Sequence, residues 1–197
     1  MKVLFITFLV FLTDQVSKFY VKGISIQSLG IKIKGLYPGE RLPVINKIFN
    51  ITFVENPGIA FGIDFGANFK FLVSGFTLLS GFVLLFFLYK NRDKNFTLRL
   101  SLALILGGAL GNLFDRLFYG VIYGYAPFFY GRVVDFFDLR IFNLYIFHKT
   151  FGNYIFNFAD LAVTVGVILL FYSFNRQISK DENVNPALEK YLAENKE

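Results

Sequence analysis

The chain has 197 residues, 55% of them hydrophobic and 20% aromatic against 17% charged, with a mean hydropathy of +0.53, a balance that excludes an ordinary soluble domain and points to a membrane protein. With no cysteine and one histidine, His148, there is no disulfide framework, thiolate nucleophile, cysteine metal site or two-histidine zinc motif. The net charge of +6 sits largely beside apolar runs, where membrane topology explains it better than nucleic-acid binding.

The first apolar stretch, roughly Val3 to Val21, is long enough to span a bilayer. No small-residue cleavage site follows it, and the polar "TDQVSK" does, so it reads as a retained helix rather than a signal peptide. Asp14 and Lys18 form an i, i+4 pair toward its outer end, expected to be a structural ion pair. In the following segment, 22–67, "INKIFNITFV" at 45–54 alternates Phe49, Ile51 and Phe53 with Asn50 and Thr52, which predicts a strand over the helix ends. Pro57-Gly58 in "ENPGIAFG" predicts a turn that presents Asn56.

A second span is expected from Asn68 to Tyr89 and a third from Leu98 to Phe118. Between them "YKNRDKNFTLR" places four basic residues in ten positions, and the C-terminal tail adds Arg176, Lys180, Lys190 and Lys196. By the positive-inside rule both are cytoplasmic, as is Lys2, so segments 22–67 and 119–156 face outward. In the third span Ala103, Gly107 and Gly111 make a small-residue face for a neighbouring helix, and Gly108, Asn112 and Arg116 make the adjacent ridge. Asp115 falls elsewhere on the helix and is expected to be structural. Segment 119–156, with Gly120, Gly124 and Gly131 as hinges, is expected to be a mobile lid. Its "GRVVDFFDLR" sets Asp135 and Asp138 between apolar residues, which favours a neutral carboxyl.

The fourth span begins at Asn157 in "NFADLAVTVGVILLFYS" and runs to Arg176. Asn157, Asp160 and Thr164 share a face that becomes Val167 and Phe171 below, so the polar stripe ends after two turns. Asp160 lies about 5 Å below the helix start at 1.5 Å per residue. The tail after Lys180, charged and sparse in large apolar residues, reads as a soluble or disordered appendage.

Five blocks in this order, "TDQVSK", "NPGIAFG", "GGALGNLFDR", "VVDFFD" and "FNFAD", resemble the signature blocks of lipoprotein signal peptidase, the type II signal peptidase. The resemblance runs from the first span to the fourth, with longer spacing from Arg116 to Asp135 and from Asp135 to Asn157 than is usual in that family. It implies a membrane aspartic peptidase of the bacterial cytoplasmic (inner) membrane that removes signal peptides from diacylglyceryl-modified prolipoproteins, cutting before the lipidated cysteine. Asp135 and Asp160 are then the catalytic pair, and Asn56, Asn112, Arg116 and Asn157 bind substrate. The same resemblance implies membrane lipid and globomycin-type inhibitors as ligands, and a monomer that needs no cofactor or metal. The expected architecture is an all-α integral membrane protein: four transmembrane helices with a small extracytoplasmic β cap and a loop or helix over the site. Residues 1–180 form the peptidase domain and 181–197 a charged cytoplasmic tail.

The chemistry fits without the family. Two carboxylates held close do not both ionise easily, so one keeps a proton to polarise a scissile carbonyl while the other draws a proton from water. Each residue also has a plainer reading: Asn157 and Asp160 suit any helix N-terminus, and Asp135 suits an exposed loop. Asp138, three residues on, is expected to be structural and His148 incidental. A channel or proton-coupled transporter would need polar residues through the full membrane depth, which the short stripe lacks. A scaffold would tolerate loss of either aspartate. A Ser/Lys mechanism is poorly served by Ser17 and Lys18, since i, i+1 residues diverge on a helix.

Overall fold

The computed structural model describes residues 2–26, 30–46, 48–57, 67–146 and 149–194, the backbone alone for 26, 67, 68, 141–146, 149–153 and 177–194. Gly58 of the predicted turn and His148 lie outside the described residues. Among the described residues, four helices are long and apolar enough to cross a membrane, over Leu4–Lys22, Phe69–Lys90, Phe96–Ile122 and Phe158–Arg176. They belong to α1 (Val3–Lys22), α2 (Ala67–Lys90), α3 (Phe96–Phe114, extended by a π-helical turn at Asp115–Tyr119 and the short α4, Gly120–Ile122) and α5 (Phe158–Glu194).

The third helix is the hub, packing against α1, α2 and α5. The reason is its small residues. A Cβ at Gly107 would lie 2.9 Å from the Thr7 carbonyl of α1, one at Gly111 2.5 Å from an Asp14 carboxylate oxygen, and one at Gly108 2.3 Å from the Ala159 carbonyl of α5. The Ala103, Gly107, Gly111 face therefore receives α1, tied by Thr7 Oγ1 donating to the Ala103 carbonyl at 3.0 Å, while Gly108 receives α5. Close backbone approach of this kind is how small residues join helices where lipid offers no hydrophobic drive. The helix α2 has the opposite character. Phe76, Leu79, Phe82 and Phe86 are exposed on it, an apolar surface suited to acyl chains.

Two apolar clusters mark the ends of the bundle. Val3, Leu88, Leu98, Leu102, Ala103 and Leu106 pack at the end where α1 begins and α2 turns into α3. Phe53, Tyr119, Val134 and Phe136 pack at the other end, between helix termini and a sheet. That sheet has four antiparallel strands in the order β3 (Arg41–Ile45), β4 (Phe49–Asn56), β5 (Val133–Ile146), β6 (Lys149–Phe156), and β1 (Ile24–Ile26) pairs with β2 (Ile31–Ile33) beside it.

Four expectations need correction. The single strand expected over 45–54 is a hairpin: Ile45 ends β3, Asn46 turns the chain at φ +46°, and β4 starts at Phe49. Segment 119–156 is not a loop throughout, because Val133–Phe156 adds two strands to the sheet. Nor are Gly120 and Gly131 hinges: a Cβ at Gly120 would lie 2.6 Å from the Ala126 carbonyl and one at Gly131 2.0 Å from the Asp115 carbonyl, so both serve close packing. Gly124, at φ +69° with open space around it, is the turn position. The tail also differs from a disordered appendage, since α5 continues to Glu194, its last eight residues "ALEKYLAE" being mostly good helix formers.

Candidate active site

The start of α5 organises the site. Asn157 stands just before the helix, and its Oδ1 accepts the Asp160 N–H at 2.9 Å while Asp160 Oδ2 accepts the Asn157 N–H at 3.2 Å. This is a reciprocal cap that satisfies two helix-end donors. The plain reading of these two residues is therefore true, yet it does not exhaust them. Asn157 is fully buried, and its Nδ2 also donates to Asp135 Oδ1 at 2.7 Å, the Val134 carbonyl at 3.2 Å and Asn112 Oδ1 at 3.0 Å. One amide thus joins α5, β5 and α3.

The remaining partners close the ring. Asn112 Nδ2 donates to Asp160 Oδ1 at 2.8 Å, and Asn56 Nδ2, at the end of β4, donates to Asp135 Oδ2 at 3.3 Å. Each of the four carboxylate oxygens so receives an amide hydrogen. Asp135 is 5% exposed, and its carboxyl is pushed up to about 7, first by burial and then by the charge of Asp160. Lys18 and the amides of Asn56 and Asn157 act in the opposite direction. Such a carboxyl, beside a second one, holds a proton at neutral pH and can give or take it.

Arg116 sits in the π-helical turn, a departure from regular helix common at functional sites. Its Nη1 donates to the Asn112 carbonyl at 3.1 Å, and its buried Nε has no hydrogen-bond partner among the described residues. A donor left open beside two carboxylates is available to a further group. Thr164 does not join them; its hydroxyl donates to the Asp160 carbonyl within the helix at 2.8 Å.

All six residues singled out in the sequence, Asn56, Asn112, Arg116, Asp135, Asn157 and Asp160, thus meet at the sheet end of the bundle. Beneath them lies an arrangement that the sequence reading reached only in part. Lys18 Nζ is 2.7 Å from Asp14 Oδ2, the expected pair, but also 2.7 Å from Asp115 Oδ2, and it donates to Asn112 Oδ1 at 3.0 Å. Gln15 Nε2 donates to Asp14 Oδ2 at 3.1 Å and Asp115 Oδ1 at 2.9 Å, and its Oε1 accepts the Tyr119 hydroxyl at 3.1 Å. The i, i+4 spacing of Asp14 and Lys18 on α1 gave part of this signal; Gln15 and the α3 half needed the helix register. Asp138 is structural in placement: buried, it accepts from Thr52 Oγ1 at 2.8 Å and pairs with Arg140 at 3.0 Å and Arg41 at 3.3 Å.

Apolar spans below two carboxyl groups held together by shared amides define a multi-pass membrane protein with an enzyme-like polar site. The family model of signal peptidase (SPase) II matches residues 6–176, and the chain belongs to that family. It is 37% identical over 168 residues to a lipoprotein signal peptidase of Syntrophus aciditrophicus (82% of this chain, 84% of that one), and 39% identical over 171 residues to one of Moorella thermoacetica (86% and 90%). A bacterial membrane enzyme solved by the in meso method at 2.3 Å superposes with a TM-score of 0.64 at 27% identity, covering 91% of this chain and 90% of that one. The protein is accordingly a multi-pass bacterial membrane protease.

Proposed function

We propose that this peptidase removes signal peptides from diacylglyceryl-modified prolipoproteins by an aspartic mechanism, cutting before the lipidated cysteine. Asp135 and Asp160 are the catalytic pair. The observation that carries the reading is the geometry of the pair: Asn157 donates to Asp135 Oδ1 at 2.7 Å and exchanges cap hydrogen bonds with Asp160, so one residue holds both carboxyl groups together, and burial with Asp160 pushes the Asp135 carboxyl up to about 7. Near neutral pH the pair shares one proton. The ionised member takes a proton from water, the water oxygen attacks the scissile carbonyl carbon, and the protonated member donates to the carbonyl oxygen. Collapse of the tetrahedral intermediate returns a proton to the leaving amine. The open Nε–H of Arg116 and the amides of Asn56, Asn112 and Asn157 hold the peptide backbone beside the pair.

Both chain ends are cytoplasmic and the site lies at the extracytoplasmic face of the bacterial inner membrane. The basic run at 90–99 falls at the end opposite Asp135, as the positive-inside rule requires of that orientation. Residues 1–180 do the chemistry, and 181–197 form a charged cytoplasmic tail. The enzyme works as a monomer among membrane lipid, without cofactor or metal, and takes globomycin-type inhibitors in the same site. The test is purified enzyme with a diacylglyceryl-modified prolipoprotein and its unmodified form. Mass spectrometry should find cleavage before the lipidated cysteine in the first alone. Equal cleavage of both would remove the lipid requirement, and cleavage of neither would overturn the reading.

A further inference from the structure

The ion cluster below the site has a geometry that stability does not explain. Asp14, Lys18 and Asp115 are all fully buried, two carboxylates sharing one ammonium at 2.7 Å each. A buried charge cluster is weak support for a fold, since apolar residues of similar volume often serve as well or better. Its outward contacts are more telling. Asp14 Oδ1 accepts the N–H of Ala159 at 3.0 Å, and Asp115 Oδ2 accepts the N–H of Val134 at 3.2 Å. Ala159 directly precedes Asp160, and Val134 directly precedes Asp135. Each carboxylate thus grips the backbone one residue before one member of the pair. Lys18 holds the two grips together and donates to Asn112, whose amide holds Asp160.

We propose that Asp14 and Asp115, bridged by Lys18, are positioning residues that fix the separation of Asp135 and Asp160 through the backbone N–H groups of Val134 and Ala159. This rests on the peptidase reading of the pair. The two aspartates come from different elements, β5 and α5, which share no covalent link shorter than the β5–β6 hairpin. Hydrogen bonds from the side-chain amides of the site join them, but those same amides must meet substrate. The ion cluster joins them from below, on the helices α1 and α3, which are neither the strand nor the helix that carries the pair. Gln15 completes it, bonding both carboxylates and the Gly111 carbonyl at 3.1 Å. A small displacement of reacting groups costs on the order of 10²-fold in rate, so this spacing matters to turnover.

The experiment compares Asp115→Ala, Asp115→Asn and the apolar triple variant Asp14→Leu/Lys18→Met/Asp115→Leu in detergent, reading kcat, KM and thermal unfolding on the modified prolipoprotein. Asp115→Ala loses the acceptor for Val134 and should lower kcat on the order of 10²-fold, with KM within about twofold. Asp115→Asn keeps an oxygen for that N–H and should recover at least about a tenth of wild-type kcat. The triple variant should unfold near the wild-type temperature yet turn over on the order of 10²-fold more slowly. Wild-type kcat in a folded Asp115→Ala or triple variant overturns the proposal. So does a triple variant that cannot fold, since the cluster would then be a folding element. Wild type and Asp135→Asn run alongside: an inactive wild type or an active Asp135→Asn indicts the peptidase reading instead.

Discussion

Asp135 and Asp138 lie three residues apart on one strand, both buried, and their surroundings could hardly differ more. Successive strand residues point to opposite faces, so an odd spacing sends them to opposite sides of the sheet. Asp138 meets two guanidinium groups and a hydroxyl. Asp135 meets two amides and a second carboxylate, and its proton is held to about pH 7. The lesson is that burial alone does not mark a reactive carboxyl. What distinguishes one is burial without a directly paired cation, next to a group of like charge.

The sharpest way to break this contrast is by isosteric exchange. Asp135→Asn and Asp160→Asn keep size and polarity but cannot cycle a proton, so each should lose on the order of 10² to 10⁴ in kcat, the usual scale of general acid–base catalysis. Asp138→Asn should keep wild-type kcat. If Asp138→Asn is inactive while Asp135→Asn cleaves, the two faces of β5 have been assigned the wrong way round.

A pH series sharpens the same contrast. The folded chain holds the Asp135 proton to about pH 7, whereas an ordinary aspartate releases it near 3.8. Between these values the folded state binds more protons than the unfolded one, so this group lowers stability as pH rises through the window. Turnover should decline above about pH 7 as the pair loses its shared proton. Asp135→Asn should gain thermal stability relative to wild type at pH 8 compared with pH 5, on the order of a few degrees. An identical difference at both pH values would mean that Asp135 is ionised throughout.

Stability, not rate, is where Asp138 should tell. Asp138→Asn leaves Arg140 and Arg41 without their carboxylate, a loss of about 2 kcal/mol given that both arginines are partly exposed. Thermal unfolding in detergent measures it, and an unchanged midpoint would make the cluster dispensable.

Much of the site was legible because its residues fall at helical spacings: Gly108, Asn112 and Arg116 on one ridge, Asn157 and Asp160 within one turn. The four spans were legible from length and hydropathy, with ends that match the apolar, membrane-length stretches to within a few residues. Contacts between distant backbone groups were not. Nothing in the chain announces that Asp14 caps Ala159, 145 residues away, or that Asp115 reaches the N–H of Val134. The hairpin β5–β6 was missed because "VVDFFDLRIFNLYIF" is apolar on both faces and shows no alternation. The turn at Asn46 was missed because a non-glycine residue adopts positive φ there.

The smallest effect is expected at Lys22, which ties the segment after Arg116 to the end of α1. Its ammonium lies 2.5 Å from Glu55 Oε1, 3.9 Å from the Tyr123 ring centroid and 4.7 Å from that of Tyr125. Glu55 also pairs with Arg132 at 3.3 Å, and the Arg132 N–H donates to the Tyr125 hydroxyl at 2.8 Å, so both arms of the segment close on one cation. Burial pushes the Tyr125 phenol up to about 12, which keeps it neutral and its ring available to the charge. At the far side Phe129 and Tyr130 pack on Phe71 of α2, and Ser74 Oγ donates to the Phe129 carbonyl at 2.8 Å. The segment is thus pinned at two points. Lys22→Met keeps the aliphatic stem but removes the cation, at a cost of about 1–2 kcal/mol for a desolvated cation–π contact. Limited proteolysis within 120–131 should quicken several-fold, while kcat stays within about threefold because no catalytic group is touched. Lys22→Arg should restore protection. Unaltered proteolysis in Lys22→Met would place the whole restraint on the Phe71 side, and a large fall in kcat would mean that Glu55, next to Asn56, transmits the loss directly to Asp135.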